Sequence, residues 1–166
     1  VLSSPSGAGK TTLTKLLSKN NNYLISVSHT TRKSRINETD TKDYFFVNNN
    51  EFLIKKRKKY FIETAKVFDY HYGSPLKNIK EAFKKNNHIL FDIDWQGAKK
   101  IRKNFKDDQI IDFFILPPNK KELKNRLVRR GRDNKKEIKK RLSLAVSEIS
   151  HFNEYKFILI NDKINE

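Results

Sequence analysis

The first dozen residues constrain this chain more than any other feature. An apolar Val1-Leu2 runs into Ser3-Ser4-Pro5-Ser6-Gly7-Ala8-Gly9, and a helical stretch follows from Lys10. Leu13, Leu16 and Leu17 keep the i, i+3, i+4 spacing of one buried helix face. Ser4 to Thr11 matches the phosphate-binding loop pattern, with Ser4 in place of its first Gly. In such a loop consecutive backbone N–H groups and a helix N-terminus surround a phosphate. Gly7 and Gly9 allow the close approach, Lys10 neutralises transferring oxygens, and Thr11 suits Mg²⁺. A Gly-Ser turn capping an ordinary helix is the competing reading, and the strand-loop-helix context favours the phosphate.

Beyond the loop, strand and helix patterns alternate. Tyr23 to Val27, His88 to Asp92, Ile110 to Leu116 and Phe157 to Ile160 are apolar runs short enough to lie buried in a parallel sheet. Helical patterns cover Ala98 to Phe105, Lys120 to Arg130 and Ile138 to Phe152. Between Ser28 and Asn87 the character changes. Ser28 to Asp43 is polar and reads as an exposed loop system. Asp43 to Val47, Phe61 to Val67 and Tyr70 to Tyr72 read as short strands around a charged helix near Phe52 to Lys58. Ser74-Pro75 then reads as N-cap and first residue of a helix with Leu76, Ile79 and Phe83 on its apolar face. The pattern implies an α/β fold: a doubly wound parallel sheet core carrying a β-rich insert. Both ends read as trimmed, one starting inside a strand and the other stopping just after one.

No run approaches the ~20 apolar residues of a membrane span, and no secretory leader opens the chain. The absence of Cys excludes disulfides, thiolate metal clusters and thiol nucleophiles, and fits the cytoplasm. Lys and Arg number 36 against 19 Asp and Glu, a net charge of +17. Such a surface attracts polyanions. The lysines are nevertheless dispersed in short runs, which reads as a solvated surface rather than a nucleic-acid groove.

Ile89-Leu90-Phe91-Asp92 is an apolar strand ending in a carboxylate of the kind that supports Mg²⁺ beside a phosphate loop. Asp94 falls on the same side of an extended chain, and either carboxylate is available to cap the helix near Gly97. Two segments concentrate guanidinium groups that suit phosphate oxygens: Arg32 and Arg35, and Arg126, Arg129, Arg130, Arg132 and Arg141 around Gly131. For Arg129 and Arg132 plain surface charge is the better reading. The four His show no metal-ligand spacing and receive no chemical role.

Taken together, Ser-Pro-Ser-Gly-Ala-Gly-Lys-Thr at 4–11, Ser-Val-Ser-His-Thr-Thr-Arg at 26–32, Asp-Tyr-Phe-Phe-Val at 43–47, Phe-Ile-Glu at 61–63, Tyr-Gly-Ser at 72–74, Asp-Ile-Asp-Trp-Gln-Gly at 92–97 and Arg-Arg-Gly at 129–131 resemble the bacterial guanylate kinases over nearly the whole chain. The resemblance implies transfer of the γ-phosphoryl of ATP to GMP with Mg²⁺. It implies a core over 1–27, 88–125 and 140–166, a GMP-binding insert over 28–87 and a small helical lid over 126–139. Ser6, Gly7, Ala8, Gly9, Lys10, Thr11 and Thr12 would hold the ATP phosphates, with Arg126 beside them and Asn161 near the adenosine. Arg130 and Arg141 would join Lys10 in catalysis, and Thr11 and Asp92 would serve the metal. For GMP, Arg32, Arg35, Tyr44 and Tyr72 would hold the phosphate, while Ser28, Glu63, Ser74 and Asp94 would read guanine. The chain departs from the family pattern at Ile36-Asn37-Glu38 and Asp69, where members often carry Gly. Two rival functions are a non-catalytic guanylate-kinase-like module binding a phosphopeptide, against which the retained Gly9-Lys10-Thr11 counts, and a basic nucleic-acid binder. The latter would interleave aromatics with Arg on an exposed sheet, and the sequence has no such array.

Overall fold

A computed structural model describes residues 1–131 and 134–163. Arg132 and Asp133 of the expected lid, and 164–166 of the expected core, lie outside the described residues. The elements run β1 (Leu2–Ser3), α1 (Lys10–Leu17), β2 (Tyr23–Ile25), β3 (His29–Thr30), β4 (Phe45–Phe46), α2 (Asn49–Arg57), β5 (Phe61–Val67), β6 (Tyr70–Pro75), α3 (Leu76–Lys84), β7 (His88–Leu90), α4 (Trp95–Asn104), β8 (Phe113–Leu116), α5 (Lys120–Arg129), α6 (Lys135–Ile149) and β9 (Phe157–Ile160). Among the described residues no helix is long and apolar enough to cross a membrane.

The core sheet is parallel. β1 pairs β8, β8 pairs β9 and β2 pairs β7. The chain after β7 closes the gap, because Leu2 N–H donates to the Phe91 carbonyl and Ile93 N–H to that of Leu2. The spatial order is therefore β2-β7-β1-β8-β9. Helices on the faces explain why β8 is apolar throughout: Phe114 packs with Ile79, Ile93 and Ile101 on one side, and Ile115 with Leu2 and Ala8 on the other. The expected insert is a second sheet in the order β4-β3-β6-β5, in which β6 runs antiparallel to both β3 and β5.

Several expectations need correction. The Ser28 to Asp43 segment is not all exposed loop, since His29 and Thr30 form β3 and are buried. A two-residue polar strand carries no periodicity to detect. Ser74 does not cap α3, because β6 runs through it and its hydroxyl donates to Glu63. Leu16, Leu17 and Phe83 are exposed, as is every residue of β9, so the apolar stripes of α1 and α3 extend past what the sheet covers. Leu16, Leu17, Phe83 and, from β9, Leu159 border one open apolar groove of about 760 Å³ beside the sheet.

α5 and α6 pack through Leu123, Leu127 and Ala145, and Leu127 is fully buried. A Cβ on Gly7 would stand 2.9 Å from Leu123 and 3.1 Å from Leu127, so this small cluster also floors the phosphate loop. Leu127→Ala should lower unfolding free energy by about 3 kcal/mol, through lost burial and the cavity left behind. Thermal unfolding of the variant measures this, and ATP affinity should weaken along with it.

Candidate functional site

The two Gly residues of the loop adopt the conformation for which Gly is needed: Gly7 has φ 103° and Gly9, the N-cap of α1, φ 101°. α1 carries neither a side-chain cap nor an acidic residue in its first turn, which leaves its N-terminal N–H groups and dipole available to an anion. Lys10 reaches back across the loop to the chain after β7. Its Nζ lies 2.5 Å from Asp92 Oδ1 and donates to the Ile93 carbonyl at 3.2 Å.

One cleft joins this loop to the insert. It is lined by Ser6, Gly7, Gly9, Lys10 and Thr11 from the loop, and by Asp92 and Asp94 beyond β7. Arg130 and Arg141 enter from the α5 and α6 side, and Ser28, Arg35, Tyr44, Glu63 and Tyr72 from the insert. Strand alternation explains the insert wall. Glu63, Ala65 and Val67 occupy one face of β5 and all line the cleft. An irregularity between Phe61 and Glu63 sets Glu63 opposite Ser74 on β6.

Glu63 is the most unusual group. It is 4% exposed, its Oε1 accepts from Ser74 Oγ at 2.7 Å, and its Oε2 has no hydrogen-bond partner among the described residues. Burial pushes its carboxyl up to about 7, against the Ser74 hydrogen bond and with help from Asp94. Ser28 Oγ lies 3.2 Å from Ser74 Oγ, extending the polar patch. Asp94 does two jobs: its Oδ1 accepts from Gly97 N–H at 3.0 Å as the cap of α4, and Gln96 donates to Oδ2 at 2.9 Å. The capping alternative therefore holds for Asp94, although the residue also lines the cleft.

The remaining candidates divide by position. Arg32 is buried and forked onto Glu38 at 2.9 and 3.0 Å, with Tyr44 5.4 Å from its Cζ, and is not part of the lining. Burial opposes its charge, but the Glu38 hydrogen bonds win and raise its pKa. Ser74 sits behind Glu63, fully buried. Ala8 and Asn161 lie behind the loop, where Asn161 Nδ2 donates to the Ala8 carbonyl at 2.7 Å. Arg126 flanks them, donating to the Asp162 carbonyl at 2.9 Å and to Glu122. Thr12 is exposed on α1, outside the lining. Asn37 and Asp69, at positions where the sequence pattern favours Gly, have φ 66° and 73°. Asn and Asp are the side chains that best tolerate that left-handed region.

Glu148 is a site residue that sequence reasoning missed. It lines the cleft and accepts from Ser6 N–H at 3.2 Å, while Arg141, seven residues earlier on the same face of α6, donates to Ser6 Oγ at 2.9 Å. Burial raises the Glu148 carboxyl, opposed by the Ser6 amide and Lys10. The readable signal was a basic and an acidic residue two turns apart on a helix whose apolar stripe lies elsewhere. Among the described residues no group of three or more His, Cys, Asp or Glu is arranged to hold a metal. Thr11 and Asp92 supply one hydroxyl and one carboxylate to the cleft, the partial oxygen set that suits Mg²⁺ bound mainly through water and substrate phosphates.

The guanylate kinase family model matches residues 1–166. A guanylate kinase of Rickettsia prowazekii is 44% identical, with 100% of this chain and 84% of that protein covered. One from Maricaulis maris is 47% identical, with 97% and 74% covered. The crystal structure of guanylate kinase from Anaplasma phagocytophilum superposes with a TM-score of 0.78 at 38% identity, covering 99% of this chain and 76% of that one. A glycine-shaped phosphate loop faces a buried carboxylate across one cleft, and with these likenesses over its whole length the chain belongs to the guanylate kinase family.

Proposed function

We propose that this cleft transfers the γ-phosphoryl of ATP to GMP, giving ADP and GDP, with the roles assigned as follows. The observation that carries the reading is the pairing of the phosphate loop with the buried, half-satisfied Glu63 carboxylate in one lining. Guanine presents N1–H and an exocyclic amine, two donors that Glu63 and Asp94 can accept, while Ser28 in the lining offers a hydroxyl to O6 and Ser74, whose own proton goes to Glu63, orients that carboxylate rather than touching the base. Arg35, Tyr44 and Tyr72 would bind the GMP phosphate, with Arg32 bracing them through Glu38. The loop amides, Lys10 and the α1 N-terminus would hold the ATP phosphates, with Arg130 and Arg141 reaching them from the α5–α6 side. Asn161 and Arg126 support the loop from behind. Thr11 and Asp92 would hold Mg²⁺, which supplies charge neutralisation on the phosphate oxygens when bound. A GMP phosphate oxygen then forms a bond to the γ-phosphorus as the bond to the ADP oxygen breaks in line. Lys10 and the arginines stabilise the spread charge without a covalent enzyme intermediate. Residues 28–87 serve as the GMP insert and 126–139 as a lid. The lack of Cys supports a cytoplasmic setting.

Lys10→Ala should leave a folded protein whose turnover with ATP and GMP is at least about a hundredfold lower, roughly 2.7 kcal/mol of transition-state stabilisation. Near-normal turnover would favour a binding module instead. Hydrogen exchange over the described parts of 126–139 should slow when a bisubstrate analogue binds, and unchanged protection would count against a lid.

Acceptor choice tests the guanine-reading face. AMP turns an acceptor N1 toward a carboxylate, and two or three such mismatches at about 1–3 kcal/mol each favour GMP by on the order of a thousandfold in kcat/KM. Glu63→Gln should lose most GMP activity while ATP binding persists. The pH dependence has a definite sign: with the Glu63 carboxyl at about 7, GMP binding needs the ionised form and weakens as pH falls. The Glu63 share of that loss is about tenfold between roughly pH 8 and 6. The GMP phosphate titrates in the same range, so the difference between wild-type and Glu63→Gln profiles isolates it. Superimposable profiles, measured by calorimetry, would remove Glu63 from the binding step.

A further inference from the structure

β5 and β6 are joined by Phe68 and Asp69 alone, at φ 50° and 73°. Two successive left-handed residues are the hairpin turn that matches strand twist, and its favoured occupants are Asn-Gly or Asp-Gly. Asp69 is tolerable there, but a bulky Phe at positive φ works against its own backbone preference. A local choice that conflicts with its turn points to a tertiary contact that outweighs it.

That contact lies across the cleft. The Phe68 ring faces α6: its centroid is 5.0 Å from Arg141 Cζ and 5.9 Å from Lys140 Nζ, and Asp69 Oδ2 lies 3.3 Å from Lys140 Nζ. The Lys140–Asp69 pair is exposed and screened, so it adds little. Phe68 is half-buried and lines the cleft, where the attraction of a guanidinium to a ring face is least diluted by water. Arg141 therefore sits between two supports from different parts of the fold, Phe68 of the insert and Ser6 of the phosphate loop. The strands bearing Phe68 also carry Glu63, Tyr72 and Ser74.

We propose that Phe68 is a positioning residue for phosphoryl transfer: the hairpin tip presents its ring to Arg141 and holds that guanidinium over the phosphate loop, tying the donor-side arginine to the placement of the acceptor-binding insert. The proposal rests on the reading that Arg141 reaches the ATP phosphates. It separates the two ends of the hairpin by function, the Glu63 end selecting guanine and the Phe68 end orienting a charge.

Five variants test it. Phe68→Leu keeps apolar bulk and removes the π face. Phe68→Gly removes the ring and suits the left-handed turn, so the hairpin stays at least as stable by thermal unfolding. Both should lower kcat at saturating ATP and GMP about tenfold, the scale of a partly desolvated cation–π contact, and leave the GMP Kd measured without ATP within about twofold of wild type. Phe68→Tyr should keep kcat within about twofold. Phe68→Leu combined with Arg141→Ala should be no slower than Arg141→Ala alone, because the ring acts only through that side chain. Wild-type kcat in Phe68→Leu, a GMP Kd weakened as much as kcat, or losses that multiply in the double variant would each overturn the proposal. Wild-type turnover in Arg141→Ala would instead remove the phosphate role of Arg141, and the proposal with it.

Discussion

The Ala8 carbonyl and the Asn161 amide, 2.7 Å apart, fix the back of the phosphate loop, and the rest of the site is arranged around the loop they hold. Asn161 follows β9, whose neighbour is β8, whose neighbour in turn is β1, so the brace comes from the far edge of the sheet that starts the loop. It fits because Gly9 has no Cβ, which would collide with the Asn161 amide nitrogen. Gly7 is missing a Cβ on the opposite flank, where Leu123 and Leu127 press in. The loop is thus clamped between α5 and the end of the sheet before any phosphate arrives. Its amides then need no reordering on binding, which is the condition for oriented backbone dipoles to act at full strength on a transferring group.

Charge in the cleft follows the same logic of prior arrangement. Lys10 is held on Asp92, Arg32 on Glu38, and the Ser6 amide on Glu148. A half-buried cation left alone would bear most of its desolvation cost. Paired as it is, Lys10 would exchange or share Asp92 when a phosphate enters the cleft, so little new charge would be stripped of water. Glu63 is the opposite case. Its second oxygen has no partner among the described residues and its burial favours the protonated form, so a ligand that brings a hydrogen-bond donor relieves a cost already present in the fold. On the proposed reading, selectivity and affinity at that end come from this one buried, half-satisfied carboxylate.

How far these features were legible varied with their range. The phosphate loop was readable because Gly7, Gly9 and Lys10 act within a few residues of one another. β5 and β9 matched their expected bounds because β9 is apolar throughout and β5 is dominated by aromatic, apolar and β-branched residues, Glu63 and Lys66 apart. β3 was not readable, since two polar residues are a strand only by virtue of β4 and β6 on either side. Ser74 shows the limit more sharply. Before Pro75 it has every local property of a helix cap, yet its hydroxyl is claimed by Glu63, eleven residues earlier, through strand pairing. Glu148 escaped notice because its partner is a backbone amide of Ser6, 142 residues away, and no local pattern encodes that distance. The stripes of α1 and α3 misled in the other direction, as helical spacing tells which face is apolar and not what covers it.

The insert gains its directionality from strand alternation. On β5 the same face that carries Glu63 continues through Ala65 to Val67, so a single pleat runs from the carboxylate proposed to read guanine toward the hairpin tip. Along the unpaired edge of β5 the backbone carbonyls of Thr64 and Lys66 meet α4: the Lys100 ammonium donates to the Thr64 carbonyl, and Gln96 to that of Lys66 at 3.1 Å. β5 is therefore fastened to the core helix that Asp94 caps, and a shift of the insert must carry the Glu63–Asp94 pair and the tip together. A seven-residue strand is short enough to move as one stiff unit, whereas a loop of equal length would let each end relax separately. That rigidity is the physical reason an antiparallel sheet, rather than an irregular excursion, stands between the residues proposed to meet the acceptor base and those that face α6.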